Sequence, residues 1–238
     1  MKVLFLVIAS PGEDYDRMKS TWIRHWENAP ESLRSQSSLR FLYGNSKIAS
    51  SVPSRYDATY ASVPESVVPG GLDKTMIAFA EALRENDRFD IFVRSNLSSV
   101  YLWDKLETFL GDFSMSDAEV AGFSDDRSHF SGCNIIFKRG AVRSLVNNDG
   151  ELDRSDYDDV AMSKYLLASG FAHSFVPRLD IIDEGILLKN AAHDEFFFHV
   201  RFKTTNRKTD ASRMDIVVDA WPHGTDNVLR LASKFSRA

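Results

Sequence analysis

The chain has 238 residues, of which 43% are hydrophobic and 26% are charged, and its formal net charge is −5. This length and apolar content are enough for one large core or two small lobes. The 12 glycines and 7 prolines, without a low-complexity tract, exclude fibrous and disordered classes. The acidic balance argues against a nucleic-acid-binding protein. The single cysteine, Cys133, rules out an internal disulfide framework and indicates a reducing compartment.

The first element in chain order is an apolar run. Val3 to Ala9 is β-branched and aromatic, which is the pattern of a strand covered on both faces. A signal peptide is the other interpretation, but the sequence PGEDYDR that follows offers no small-x-small cleavage site. No segment approaches the ~20 apolar residues of a membrane helix. We therefore expect a buried first strand, no membrane span and a cytoplasmic location.

Strand and helix patterns then alternate. A helix is predicted to begin at Asp14 or Asp16, a strand covers Leu39 to Gly44, and Asn45 to Gly71 is predicted as loop with short pieces. The later predicted elements are the helix LDKTMIAFAEALREN, the strand RFDIFVR, the helix Val100 to Leu110, the strands EVAGF and CNIIFK, the helices RGAVRSLV and DYDDVAMSKYLLAS, the strands AHSFVP and EFFFHVRF, and the helices SRMDIVVDAW and TDNVLRLASKF. This order predicts an α/β fold with a mixed, mainly parallel sheet, an added antiparallel edge and helices on both faces.

Several segments between Met1 and Gly170 occur in the order and spacing of a known enzyme family. DRMKSTWIRHW is similar to its Arg-rich first helix, in which Thr21 and Trp22 match a Thr-Trp pair, and FLYG is similar to its second strand. GGLDKTMIAFAEALRENDRFDIFVRSNLSSVYL is similar to a helix with a family lysine, matched by Lys74, followed by a strand and a metal turn. FSGCNIIFKRGAVRSLV and DYDDVAMSKYLLASGF are similar to a Ser-Gly strand and an acidic-acidic-Val helix. Together they resemble the inverting β-1,3-glycosyltransferases of the galactosyltransferase and Fringe type.

The resemblance implies the GT-A fold, a Rossmann-type sheet with donor and acceptor sites at its carboxyl edge. The expected activity is transfer of a hexose or pentose, with inversion, from a nucleoside-diphosphate sugar to a hydroxyl of a glycan or glycoconjugate. We expect one domain over 1–238, in which 1–170 is the nucleotide-sugar-binding and catalytic core. Residues 171–238 have no clear counterpart in the family pattern and form a C-terminal extension of the same domain.

The Asp-rich metal turn of the family falls on Asn96, Leu97 and Ser98 in this chain. An amide and a hydroxyl are neutral, so they do not hold a hard divalent ion as carboxylates do. The Asp-x-Asp pairs Asp14–Asp16 and Asp156–Asp158 lie at predicted helix starts, where capping and the helix dipole explain them. We expect Asn96 and Ser98 to bind the donor without a metal.

The departing nucleotide diphosphate gains negative charge, and without a metal fixed cationic side chains can stabilise that charge. The resemblance adds Lys74 to the donor site, and a solvated basic face is the alternative for the cations of the tail. The candidate cations are Arg94 before the turn and Arg201, Lys203, Arg207 and Lys208 in the tail. A weaker Mn²⁺ or Mg²⁺ site remains an open but less favoured alternative, because many enzymes of this fold supply a late histidine and His193, His199 and His223 lie late in this chain.

Inversion needs a base that takes the proton of the acceptor hydroxyl. The resemblance places Asp159 in that role, with Asp158 as the alternative, and adjacent helix residues differ by about 100° in direction, so we expect one of them to enter the cleft. Ser131 and Gly132 are candidates for acceptor or sugar contacts, because glycine lets a backbone approach closely.

Three further groups of residues have both a structural and a functional interpretation. Asp125 and Asp126 are acceptor candidates on a loop that is also typical of a polar surface turn. Tyr101 and Trp103 are expected to be buried rather than to stack on a ligand, and Cys133 is expected in the core.

Two other functions are compatible with the sequence. A catalytically inactive protein that binds nucleotide sugars or glycans would keep this fold, and loss of the metal carboxylates motivates it. A nucleotidyl-transferring enzyme is less favoured, because SPGEDYDR is poor in glycine and basic residues where such enzymes carry a Gly-rich, basic loop.

Overall fold

The computed structural model describes residues 1–45, 53–85, 88–183, 185–189 and 198–220, which form two β-sheets and flanking helices. The strands are β1 (Val3–Ile8), β2 (Ser37–Asn45), β3 (Asp57–Pro64), β4 (Ile91–Asn96), β5 (Ser99–Tyr101), β6 (Val120–Gly122), β7 (Asn134–Lys138), β8 (His173–Phe175), β9 (Arg178–Ile182), β10 (Gly185–Lys189) and β11 (His199–Phe202). The helices are α1 (Glu13–Glu27), α2 (Glu31–Arg34), α3 (Gly70–Arg84), α4 (Trp103–Met115), α5 (Arg139–Asn147), α6 (Asp158–Ala168) and α7 (Arg207–Ala220).

The large sheet has seven strands in the order β3-β2-β1-β4-β7-β6-β8. Its neighbours pair in parallel except where β7 runs antiparallel to β4 and to β6. The carboxyl ends of β1, β4, β6 and β8 therefore meet the start of β7 at one edge, called the carboxyl edge below. This arrangement confirms the predicted mixed, mainly parallel sheet.

Helices cover both faces of the large sheet, as the alternation of patterns predicts. On one face α1 packs Trp22 and Trp26 into a buried cluster with Phe5 of β1. On the other face Phe79 of α3 lies edge-on to Phe92 of β4, in a second buried cluster that includes side chains of α5 and α6. Both clusters are almost completely shielded from water, so apolar burial holds the layers together.

The small sheet has four strands in the order β10-β9-β11-β5. Because side chains alternate between faces of a strand, the register separates its residues into two sets. One face is apolar and joins the first core cluster together with side chains of α7; it carries Val100, Leu179, Ile181, Val200 and Phe202. The opposite face, called the polar face below, carries Ser99, Tyr101, Arg178, Asp180, His199 and Arg201.

The structure corrects several predicted elements. Part of the predicted loop from Asn45 to Gly71 is the edge strand β3, and β9 was not predicted. The helix predicted from Val100 begins at Trp103, because the residues before it pair with β11, and α7 begins at Arg207 instead of Ser212. The antiparallel strand of the large sheet is β7, which lies inside the sheet and not at its edge, and the separate small sheet was not predicted. The predicted helix TDNVLRLASKF lies outside the described residues.

Within the described ranges, each helix is either too short or too polar to cross a lipid bilayer.

Candidate functional site

The turn after β4 is held by its own side chains. Asn96 is partly buried, and its Oδ1 accepts hydrogen bonds from Ser98 Oγ at 3.2 Å and from Ser99 Oγ at 3.0 Å. Leu97 is buried beside them. The Asn96 amide nitrogen, which carries two N–H donors, takes no part in these bonds. The turn at the carboxyl edge therefore presents donors rather than anionic ligands.

The turn after β4 lacks the carboxylate ligands that a hard divalent metal prefers. The turn has no carboxylate, and the one side-chain amide oxygen, that of Asn96, already accepts two hydroxyls. His199 is fully buried, and burial together with the charges of Arg178 and Arg201 lowers its pKa well below 6.5. The same two guanidinium groups would repel a metal cation. In the part of the chain that the structure describes, no group of three His, Cys, Asp or Glu side chains is placed to hold one, and His193 and His223 lie outside that part.

Asp158 and Arg94 form a buried ion pair. Asp158 is the first residue of α6, and its Oδ2 accepts a hydrogen bond from Arg94 Nη2 on β4. The two residues are 7% and 5% exposed. Burial raises the pKa of Asp158, Arg94 opposes that rise and the neighbouring Asp159 charge adds to it, with a net increase. Arg94 Nε has no hydrogen-bond partner in the described structure, so this guanidinium keeps one unused donor.

Asp159 points in a different direction and is only partly buried. Its Oδ2 accepts the backbone N–H of Gly132 at 2.7 Å, and its Oδ1 accepts the N–H of Val160 at 3.0 Å. A Cβ atom on Gly132 would lie 2.7 Å from Arg94 Nη1 and 2.9 Å from Asp159 Cβ. The backbone at Gly132 is therefore approached closely by Arg94 and Asp159 of this chain, whereas its approach to a sugar or acceptor stays a prediction. Of the two adjacent acids, Asp158 is held in an ion pair, whereas Asp159 is the partly exposed carboxylate at the carboxyl edge.

Ser131 is engaged by a residue that the sequence analysis did not single out. Arg178 on β9 is 1% exposed, and its Nη1 donates to Ser131 Oγ at 2.8 Å. Its Nε and Nη2 donate to the two oxygens of Asp180 at 2.5 and 2.9 Å. The alternation in RLDII could have indicated this pair, because residues two apart in a strand share a face.

Lys74 is buried near the end of β1. Its ammonium donates to the carbonyl of Ala9 at 3.0 Å and to Glu65 Oε1 at 2.9 Å. Glu65 also accepts the backbone N–H of Gly44, so it joins α3 to the ends of two strands. Glu65 lies in the segment predicted as loop, and no local pattern marks it as the partner of Lys74.

The predicted basic cluster of the tail is divided by the structure. Arg201 lies on the polar face in register with Ser99 and Asp180; it makes no ion pair with another described residue, and its Nε is buried without a partner. Lys203, one residue beyond β11, is exposed. The other two basic residues lie at the start of α7, where Lys208 is exposed and Arg207 pairs with Asp210 at 2.9 Å.

The remaining candidates have local roles. Asp126 is exposed and its Oδ1 accepts both the N–H and the hydroxyl of Ser128, which lowers its pKa and forms a closed polar turn. Asp125 is also exposed. Tyr101 and Trp103 are fully buried and Cys133 is 3% exposed, which confirms their predicted places in the core.

A concave region lies away from these residues. It is a cleft of about 340 Å³ between β3, α3 and α5, lined by Met76, Ile77, Asp73, Val146 and Arg154 among others. Its ionisable groups are mutually paired, because Arg154 contacts both Asp73 and Asp149. We place the candidate site at the carboxyl edge, where Asp158 pairs with Arg94, Asp159 bonds to Gly132 and Asn96 ends β4.

Comparison with known proteins gives one kind of match. No protein-family model matches the chain, and no curated protein does. A solved structure described as the crystal structure of a glycosyltransferase involved in the glycosylation of the major capsid of PBCV-1 superimposes with a TM-score of 0.53. The alignment covers 91% of this chain and 100% of that chain at 10% sequence identity, so the likeness concerns the fold alone. The fold is GT-A-like.

In this GT-A-like fold, one edge of the large sheet collects most of the predicted site residues. Hydrogen bonds link Asp158 to Arg94 and Asp159 to Gly132, and Ser131 adjoins Gly132 in the chain. Asn96 lies two residues beyond Arg94 at the end of β4. By contrast, the side chain of Asp126 is taken up by its own surface turn.

Proposed function

We propose that this chain is an inverting glycosyltransferase that moves a sugar from a nucleoside-diphosphate sugar to a glycan hydroxyl. The observation that carries the proposal is Asp159, a partly exposed carboxylate at the carboxyl edge that a backbone N–H orients from Gly132. Ligands of open α/β sheets bind at this edge. The likeness in fold to a solved glycosyltransferase supports the proposal of a glycosyltransferase.

Asp159 is the base in the proposed reaction. Its carboxylate takes the proton of the acceptor hydroxyl, and the hydroxyl oxygen forms a bond to the anomeric carbon on the face opposite the leaving group. The bond between that carbon and the phosphate oxygen breaks, and its electron pair leaves with the nucleoside diphosphate. The proton on Asp159 then passes to water. Gly132 and Ser131 line the acceptor side of this arrangement.

Donor recognition is assigned to the basic residues and the turn after β4. Arg201, which has no ion-pair partner in the described structure, and the unused Nε donor of Arg94 stabilise the charge of the departing diphosphate. Lys203 adds an exposed cation nearby in sequence. Asn96 and Ser98 supply neutral hydrogen bonds to the donor, and the proposal requires no metal at this turn.

An inactive binding protein is the second candidate, and one observation favours it. Two of the predicted donor-binding cations are already neutralised, since Arg94 pairs with Asp158 and Lys74 pairs with Glu65. Such a site has no metal-binding carboxylates, and two of its cations are paired with acids of the chain itself. It can bind a sugar nucleotide without cleaving it. A measurement of turnover distinguishes the inactive binding protein from the glycosyltransferase.

The experiment is a thermal-shift screen of the chain against nucleoside-diphosphate sugars, each with EDTA and with Mn²⁺. A ligand that binds the folded state raises the melting temperature by mass action. We expect a shift with one donor that persists in EDTA, followed by release of its nucleoside diphosphate. Arg201→Met should reduce the shift, whereas Lys208→Met, at an exposed position of α7, should not.

Each other outcome has a definite meaning. A shift that requires Mn²⁺ contradicts metal-free binding at the turn. Binding without nucleotide release supports the inactive binding protein. The absence of a shift with every donor contradicts both functions.

A further inference from the structure

Arg178 is a buried cation that connects the small sheet to the candidate site. Its two bonds to Asp180, at 2.5 and 2.9 Å, stay within β9 and balance its charge. Its other contacts leave the strand. Nη1 donates to Ser131 Oγ at 2.8 Å, and the guanidinium carbon lies 3.8 Å from the ring centroid of Phe123. Both contacts reach the segment between β6 and β7, which leads into Gly132.

The segment from Phe123 to Ser131 forms a loop, and Arg178 contacts it where the two ends of the loop meet. The backbone N–H of Ser131 donates to the carbonyl of Phe123 at 2.7 Å, so the two ends of the loop are in direct contact. Arg178 touches one end through a ring face and the other through a hydroxyl. A guanidinium held by a bidentate carboxylate is a rigid donor. It therefore holds the loop closure in place relative to β9.

The residues on either side of Ser131 hold the start of α6. Phe130 donates its N–H to Ser163 Oγ at 2.9 Å, and the Ser163 hydroxyl in turn donates to the carbonyl of Asp159. Gly132 donates its N–H to Asp159 Oδ2 at 2.7 Å. The main-chain carbonyl and the side chain of Asp159 are thus connected to positions immediately before and after Ser131. A displacement of Ser131 moves both partners of Asp159.

We infer that Arg178 is a positioning residue, which orients the carboxylate of Asp159 through Ser131 without touching the reacting atoms. The inference rests on the proposed function, because it concerns the base of that reaction. Small misplacements of a catalytic group are costly to the rate of the chemical step. Loss of the Arg178–Ser131 bond should therefore lower kcat and leave the donor KM nearly unchanged.

Ser131→Ala is the first test. It removes the hydroxyl that Arg178 contacts and leaves the Arg178–Asp180 pair intact, so no buried charge loses its partner. The rate is release of nucleoside diphosphate from the donor found in the thermal-shift screen, with water as acceptor. We expect kcat to fall about tenfold, with a change of less than about twofold in the donor KM. Ser131→Thr keeps the hydroxyl and should restore the rate.

The matched control is Ser144→Ala. Ser144 lies on α5, where its hydroxyl is hydrogen-bonded to the Tyr165 hydroxyl at 2.9 Å, in a similarly part-buried setting away from the carboxyl edge. This variant should keep both kcat and KM. Amide hydrogen exchange gives a readout that does not depend on activity. Exchange in the segment from Phe130 to Cys133 should accelerate in Ser131→Ala and stay unchanged in Ser144→Ala.

Arg178→Lys tests the other partner. A lysine keeps a charge for Asp180 but cannot reproduce the fork that reaches Ser131 at the same time. We expect a loss in kcat like that of Ser131→Ala. The double variant, Ser131→Ala with Arg178→Lys, should have a kcat no lower than that of Arg178→Lys alone. Both changes remove the same Arg178–Ser131 contact, so their effects should not add.

Several results would overturn the inference. The inference fails if Ser131→Ala has the kcat of the unmodified chain, or if its donor KM is impaired as much as its kcat. It also fails if the losses in kcat from Ser131→Ala and Arg178→Lys multiply when the two changes are combined. Each result would show that Arg178 does not act through Ser131. If the unmodified chain releases no nucleotide from any donor, the proposed function fails and this role fails with it. Turnover by the unmodified chain together with an unaffected Ser131→Ala removes only the positioning role.

Discussion

The backbone N–H of Gly132 donates to the carboxylate of Asp159 across 2.7 Å, although 27 positions separate the two residues in the chain. The bond joins the approach to β7 with the first turn of α6 at the carboxyl edge. It leaves the adjacent Asp158 to a different partner, Arg94. Two neighbouring acids thereby have different environments, so substitution of Asp159 and substitution of Asp158 should have different effects.

Asp159→Asn should strongly reduce turnover without affecting the binding of the donor. The amide has almost the same shape and can still accept the Gly132 N–H, but it does not take a proton. We expect nucleotide release to fall by roughly 10²–10⁴-fold, measured at saturating donor, with an unchanged thermal shift. Asp153→Asn is the matched control, since Asp153 is an exposed acid whose Oδ1 accepts hydrogen bonds from the backbone N–H and the hydroxyl of nearby Ser155. Undiminished turnover in Asp159→Asn would remove this residue from the role of base.

Gly132→Ala should destabilise the fold. The new methyl group would lie 2.7 Å from Arg94 Nη1 and 2.9 Å from Asp159 Cβ, and the second of these cannot move without shifting α6. We expect the free energy of unfolding to fall by about 1–3 kcal/mol, measured by urea denaturation. Gly111→Ala is the control, because Gly111 lies inside α4 with nothing within 4 Å of an added Cβ. That change should be neutral or stabilising by up to about 1 kcal/mol, and equal effects of the two substitutions would contradict the crowding at Gly132.

Asp158→Asn should also destabilise the fold, for an electrostatic reason. It would leave the Arg94 guanidinium 5% exposed and without a charge partner. Removal of one partner of a buried ion pair costs about 3–5 kcal/mol. Asp156→Asn breaks the exposed pair with Lys164 and should cost less than about 1 kcal/mol. Comparable losses in the two variants, measured by urea denaturation, would show that the Arg94 pair contributes no more than a surface pair.

Stability should decrease as the pH falls from 6.5 towards 4, in part because of His25. The ring is buried, its Nε2–H donates to the carbonyl of Tyr101 at 2.7 Å, and burial lowers its pKa to about 4. Between the two pKa values the unfolded chain binds a proton that the folded chain does not, so protonation favours unfolding. The contribution of neutral His25 to the free energy of unfolding is fully present above pH 6.5. About 3 kcal/mol of it is lost by the time the pH reaches 4.

Urea denaturation of the unmodified chain and of His25→Gln at several pH values between 4.5 and 7.5 measures this effect. Glutamine can donate to the Tyr101 carbonyl but does not titrate, so the dependence of unfolding free energy on pH should be shallower in the variant. Comparing slopes separates titration from any packing lost in the substitution. Identical slopes would show that His25 does not titrate in this range.

The local elements of this protein follow from its sequence. The apolar run at the N-terminus is β1, the stripe Leu72, Met76 and Phe79 is buried in α3, and the pair Asp158–Asp159 begins a helix. These features depend on periodicity and apolar content over a few consecutive residues, which a single sequence records directly. The same information also predicted a mainly parallel sheet with helices on both faces.

Only the tertiary structure decided which distant residues meet. The strands β3 and β9 are stabilised by pairing with neighbours that local patterns do not identify, and the separate small sheet follows from that pairing. The directions of Asp158 and Asp159 depend on contacts with Arg94 and Gly132, far away in the chain. Periodicity determines which face of an element is buried, whereas long-range packing selects the partner that a buried polar group receives.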